Sequence, residues 1–182
     1  EEQATTMADM KVGGIVGLVA IYLILAALFS SYSMPIFVMS VIPFGVVGAI
    51  LGHLFLGHDI TILSMVGLLG LSGIVVNDSI ILVRSVQDRL KEGEPLYESL
   101  VNGARDRLRA VILTSVTTIF GLLPLLFETS LQAQFLKPMA VTIVFGLIGS
   151  TFIVLILVPS LLAIRSDIAQ LVNRAKNVEQ AG

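Results

Sequence analysis

Five stretches of this 182-residue chain are apolar over lengths close to that of a bilayer's hydrocarbon core: residues 12–29, 35–57, 61–83, 110–127 and 139–164. A helix needs roughly 20 apolar residues to cross that core, and only a helix or a closed barrel satisfies its own backbone there. Charge is correspondingly scarce, at 13% of residues against 55% hydrophobic, where soluble domains carry about 25% charged residues. The expected fold is all-α: a polytopic membrane bundle of five transmembrane helices. Residues 1–11 read as a lead-in, 12–165 as the transmembrane domain and 166–182 as a tail of helical pattern (Ile168, Leu171, Val172, Ala175). The chain opens Glu-Glu-Gln without an initiator methionine, and the expectation is a piece of a longer protein.

The connection 84–109 is the one long polar interval. Within it Glu94-Pro95 marks a helix start, and Leu96, Leu100, Val101, Ala104 and Leu108 recur at helical spacing. This predicts an amphipathic helix between the third and fourth spans, lying on the membrane surface or serving as a solvated linker. Nine of the eleven basic residues (Arg84, Arg89, Lys91, Arg105, Arg107, Arg109, Arg165, Arg174, Lys176) fall on one side of the five-span topology, and only Lys11 and Lys137 on the other. By the positive-inside rule the rich side is cytoplasmic, so the N-terminus faces outward and the C-terminal tail inward. No basic patch with interleaved aromatics points to nucleic acid. The chain has no cysteine, and neither a metal site nor a cofactor is expected.

Close packing is written into two spans. Gly48 and Gly52 form a GxxxG, with Gly45 on nearly the same face, and Gly146 with Ser150 repeats the small-xxx-small spacing. Such positions let membrane helices approach closely. Pro43, Pro124 and Pro159 fall inside or near the ends of spans, where proline can kink a helix.

The third span carries a contradiction. In GIVVNDSIILV (73–83) an Asn, an Asp and a Ser interrupt an otherwise apolar run. A carboxylate in hydrocarbon costs from about 3 kcal/mol upward. With Arg84 at the membrane edge, Asp78 lies six residues inward, about 9 Å along a helix. Its short side chain cannot snorkel, so it must turn into the protein, as a neutral group, a paired one, or one facing a wet cavity. A carboxylate exchanging a proton inside a membrane suits a proton-coupled transporter; interhelical hydrogen bonding is the structural alternative, and the better reading for Asn77. On the fourth span Thr114, Thr118 and Gly121 share a face that Thr117 borders. The hydroxyls can serve a carboxylate or bond their own helix carbonyls. The cluster Arg105–Arg109 sits at the basic end of that span and reads as an orientation signal.

Several segments together resemble the resistance–nodulation–division (RND) exporters, in particular the hydrophobe/amphiphile efflux branch: LAALFSSYSMPIFVM (25–39), IPFGVVGAILG (42–52), VGLLGLSGIVVNDSIILV (66–83), RLRAVILTSVTTIFGLLPLL (107–126) and FGLIGSTFIVLILVP (145–159). The resemblance implies the last five of twelve membrane helices, the eighth to the twelfth. It implies a secondary transporter of the bacterial inner membrane, not an enzyme, exporting drugs or other amphiphiles by proton antiport. The implied partners are the N-terminal half of the same chain, two further copies in a homotrimer, a periplasmic adaptor, an outer-membrane channel and the lipid bilayer. In such exporters a pair of aspartates on the fourth helix, absent here, faces a lysine on the tenth. Gapless matching puts Asn77 in that lysine's place with Asp78 beside it, Thr114 in the place of the relay threonine, and Arg107 in that of an arginine on the same helix. The missing ammonium departs from the family pattern and puts its ion pair in doubt, leaving Asp78 as a carboxylate that repositions the proton site. The competing expectation is a membrane scaffold, or a protein-export or lipid-handling relative, that does not couple protons to drug efflux. The substrate is not legible, because the family's drug pockets lie in periplasmic parts outside this chain. By the same resemblance, the five helices alone are not expected to transport.

Overall fold

The computed structural model describes residues 2–181, with side chains for 5–168. Among the described residues helices are the only regular elements, and five helical segments are long and apolar enough to cross a membrane. Helix α1 (Glu2–Phe29) begins well before the apolar run at Val12, so the lead-in belongs to the same helix. It ends at Ser30, whose φ of 48° is left-handed. The Tyr22 hydroxyl donates to the Tyr32 carbonyl at 3.1 Å and ties the following turn back to the helix.

The second span is two helices rather than one. Helix α2 (Met34–Met39) stops, and α3 (Ile42–Leu56) restarts after Ser40-Val41 with Pro43 in its first turn. Proline lacks the N–H that a continuous helix needs at that point but fits a helix start. Gly57, at φ 66°, closes α3 in the left-handed conformation that glycine adopts without strain. Thr61 and Ser64 then open α4 (Ile62–Lys91) with a reciprocal capping box.

The amphipathic segment is present but does not stand alone. Leu96 opens a single helix, α5 (Leu96–Phe127), that runs through Arg105–Arg109 and Pro124 without a break. Arginine is a good helix former, so the polar stretch marks a change of surroundings and not an end of helix. Helix α6 (Leu131–Ala181) likewise continues through Pro138 and Pro159 into the C-terminal tail.

Helix α6 is the centre of the bundle, with α3, α4 and α5 packed around it, while α1 lies along α2 and α4. The tightest seam joins α3 to α6. A Cβ added to Gly48 would stand 2.7 Å from the Phe145 carbonyl oxygen and 3.2 Å from the Gly146 Cα. One added to Gly52 would run into the Phe145 ring, and one added to Gly146 would meet Leu71 and, at 3.0 Å, the Gly45 carbonyl. Ser150 is buried on the same seam. Gly48 and Gly146 thus lie where the two backbones approach, while Gly52 makes room for the Phe145 side chain.

Candidate functional site

The triplet in the third span separates by face. A buried stripe of α4 carries Leu71, Val75, Asp78 and Leu82, as residues at three- and four-residue intervals share one side of a helix. Asp78 is 7% exposed. Ser79 is fully buried and donates its hydroxyl to the Val75 carbonyl at 2.8 Å. Asn77 is exposed on the outside of this bundle.

Asp78 makes no hydrogen bond and no ion pair with another described residue. Thr114 is exposed, and its one hydroxyl hydrogen is shared between the Ala110 and Val111 carbonyls, both at 3.0 Å. Thr117 and Thr118 also spend their hydroxyls on α5, donating to Leu113 (2.7 Å) and Thr114 (2.9 Å) carbonyls. Arg107 is half-buried, and its Nε is buried without a hydrogen-bond partner. No hydrogen bond or ion pair joins Asp78, Asn77, Thr114 and Arg107 to one another among the described residues. Helices α4 and α5 pack together, yet the four side chains do not form a closed network.

The polar links between spans are elsewhere. The Ser115 hydroxyl pairs with that of Thr151 at 2.8 Å, and Thr151 donates to the Leu147 carbonyl, so Ser115 is the donor of the pair. His53 is 4% exposed, with Nδ1 3.1 Å from the His58 carbonyl and Nε2 2.9 Å from the Thr142 hydroxyl. A carbonyl only accepts, so Nδ1 carries the hydrogen of that bond. These two pairs stitch α5 and α3 to α6, and neither was visible in the sequence. Ser115 adjoins the threonine stripe but points a step around the helix. His53 lies one turn after Ala49, which is buried on the same side of α3, and that spacing is the one signal that could have exposed it.

At the basic end, Arg89 bridges Glu94 (3.1 Å) and Asp106, and Asn102 donates to Glu94 at 2.5 Å. This network clamps the turn at Gly93 between α4 and α5. The Asn102 amide first, and the Arg89 guanidinium second, hold the Glu94 carboxyl below the usual carboxylate range.

Residues 1–165 match the family model described as the AcrB/AcrD/AcrF family. The chain is 32% identical over 157 residues to the swarming motility protein SwrC of Bacillus subtilis, an alignment covering 86% of this chain and 15% of that one. It is 34% identical to the toluene efflux pump membrane transporter TtgE of Pseudomonas putida, over 76% of this chain and 13% of TtgE. Against the multidrug export protein AcrF of Escherichia coli the identity is 31%, over 79% and 14%. The crystal structure of a heavy metal efflux pump superposes with a TM-score of 0.73 at 26% identity, covering 81% of this chain and 15% of the pump. Among the described residues no three histidine, cysteine or carboxylate side chains gather as a metal site would require. The chain spans about one-seventh of the length of these relatives. With its five apolar spans, its α3–α6 glycine seam and a family match running from residue 1 to residue 165, the chain belongs to the AcrB/AcrD/AcrF family of RND transporters.

Proposed function

We propose that these helices form part of the membrane domain of a proton-driven exporter of drugs or other amphiphiles, with Asp78 in the proton path. The observation that carries the reading is the state of Asp78: a carboxyl, 7% exposed on a membrane-spanning helix, with no partner among the described residues. Ionised and alone in such a place it is expensive. It is therefore held as the acid, or met by a group from the rest of a longer transporter or by water reaching in from one side. Each of these makes its charge conditional on the state of its surroundings, which is what coupling to a proton gradient uses.

Asn77, in the lysine's place and exposed beside Asp78, faces whatever packs on that side of α4, and offers it an amide where the family offers an ammonium. Thr114 and Arg107 are the other members of the proposed path. The Thr114 oxygen keeps acceptor capacity while its hydrogen is spent on α5, and the Arg107 Nε hydrogen is unspent. The working unit is proposed to be a homotrimer in the bacterial inner membrane, with a periplasmic adaptor and an outer-membrane channel. The N-terminus and the Glu128–Ser130 loop face outward, and the arginine-rich end faces the cytoplasm.

Asp78→Asn in the full-length transporter tests the reading, with efflux driven by a pH gradient in reconstituted vesicles. The amide keeps the size and removes the titration, so efflux should collapse at unchanged expression and assembly. Thr114→Ala should give a milder loss, since water can take the place of a hydroxyl. Near-normal efflux by Asp78→Asn returns the triplet to packing and favours the non-transporting alternative. Orientation is tested separately by single cysteines at the exposed positions Glu98 and Gln132: an impermeant thiol reagent added to intact cells should label the second and spare the first.

A further inference from the structure

The basic end of the bundle holds a cavity of about 250 Å³ that the proton path does not use. Its polar lining is Gln87, Arg165 and Ser166, and Val86, Leu90 and Leu162 supply apolar wall. Every contributing element meets it at its own membrane boundary. Met34 opens α2, Leu96 opens α5, Gln87 lies three residues past Arg84 on α4, and Arg165 ends the apolar run of α6. No lining residue is acidic, and Arg165 enters no ion pair among the described residues. Of the acids at the same end, Asp88, Glu94 and Asp106 are held by Lys91 and Arg89, and the exposed Glu92, Glu98 and Asp167 do not line the cavity.

We propose that this cavity binds the phosphate-bearing headgroup of an anionic phospholipid, with Arg165 as the charged contact and Gln87 and Ser166 as hydrogen-bond donors. At about 250 Å³ the cavity is smaller than the pockets of about 300–1,000 Å³ that hold drug-sized molecules. Position decides against a free soluble anion. Val86, Leu90 and Leu162 lie where α4 and α6 leave their apolar runs, so a ligand whose chains remain in the bilayer suits both parts of the lining. Basic pockets between membrane helices at the headgroup level are suited to such lipids. The exposed Arg84, Arg105 and Arg109 belong to the same end but do not line the cavity. The inference does not depend on the proton path or on which side of the membrane the arginines face.

The test uses the full-length transporter in nanodiscs of mixed phosphatidylcholine and phosphatidylglycerol, with retained lipids counted by native mass spectrometry. Wild type should keep phosphatidylglycerol in preference to phosphatidylcholine. Arg165→Gln should cut that preference by about fivefold, the effect of one basic side chain near a headgroup, while Arg165→Lys should keep most of it. Leu90→Trp, which fills the cavity from its rim without changing charge, should also lower retention. Arg105→Gln, outside the cavity, should leave it unchanged. Equal retention of the two lipids by wild type, or an Arg165→Gln variant that retains phosphatidylglycerol as wild type does, overturns the proposal. Displacement of the retained lipid by soluble glycerol 3-phosphate overturns the lipid assignment in favour of a free-anion site.

Discussion

The seam between α3 and α6 and the neighbourhood of Asp78 on α4 are equally deep in an apolar bundle, but they are finished to different degrees. Along the seam every feature has its counterpart. Gly48 lies on Gly146 and Phe145, and His53 is matched by Thr142 and the His58 carbonyl. At Asp78 the counterpart is missing: its carboxyl has no partner among the described residues, and Asn77 beside it is exposed. On the proposed reading, the difference separates structure from function. Polar groups satisfied within these helices hold them together, whereas groups left open are available to a proton, to water or to another part of a longer chain. A similar contrast exists between two copies of one motif. Gly13 and Gly17 on α1 repeat the GxxxG spacing of Gly48 and Gly52, yet a Cβ at either would meet nothing within 4 Å. A small-residue motif is half an interface, and α1 has no complementary half in this bundle.

The largest stability effect should come from overfilling the seam. Gly48→Leu places a side chain where the Phe145 carbonyl stands, and overpacking costs about 1–3 kcal/mol or more. Thermal unfolding in detergent should shift markedly, with Gly17→Leu as the near-silent companion. If the two variants behave alike, the seam is not what holds α3 to α6. Next comes the polar stitching. Thr142→Val removes the partner of His53, and Ser115→Ala that of Thr151. Interhelical hydrogen bonds in membranes average roughly 0.6 kcal/mol, with a maximum near 1.7, so each should destabilise by about that much, and Thr142→Val more because it strands a buried ring nitrogen. Asp78→Asn should fall outside this series, nearly neutral in stability while abolishing transport. Loss of stability comparable to Thr142→Val would erase the distinction between the two regions.

The smallest effect belongs to the Arg89–Glu94–Asp106 clamp, which is partly solvated and screened. Because the Glu94 carboxyl is held below the usual range, its contribution is fully present above the pKa it has when unfolded. It fades as the pH falls through the lowered folded value. Glu94→Gln should lower stability slightly at neutral pH and above, and the difference from wild type should vanish as the pH falls through the lowered value.

What was legible in the sequence follows the same division. Continuous apolar runs are a direct consequence of the bilayer as solvent, so the five spans could be read without knowing their neighbours. The inward turn of Asp78 was equally plain, because a short carboxyl in such a run cannot reach the membrane edge, and the residue is buried. The continuity of α5 was not, since the drop in hydropathy at Arg105–Arg109 reports the membrane edge and says nothing about hydrogen bonding along the helix. The break at Ser40-Val41 was hidden by a run of residues that remain apolar on both sides of it. Pairings such as His53 with Thr142, separated by 89 positions, depend on how two helices are rotated against each other. Spacing on one helix places a face, but only the packed bundle names what lies opposite.

The most direct test of the account is to watch the Asp78 carboxyl itself. Infrared difference spectra of the reconstituted full-length transporter, at rest and turning over under a pH gradient, report the carbonyl stretch of protonated carboxylic acids. The account predicts a carboxylic-acid band that changes between the two states in wild type and is missing from the Asp78→Asn difference spectrum. Identical difference spectra for wild type and Asp78→Asn, in samples that both transport, would contradict it.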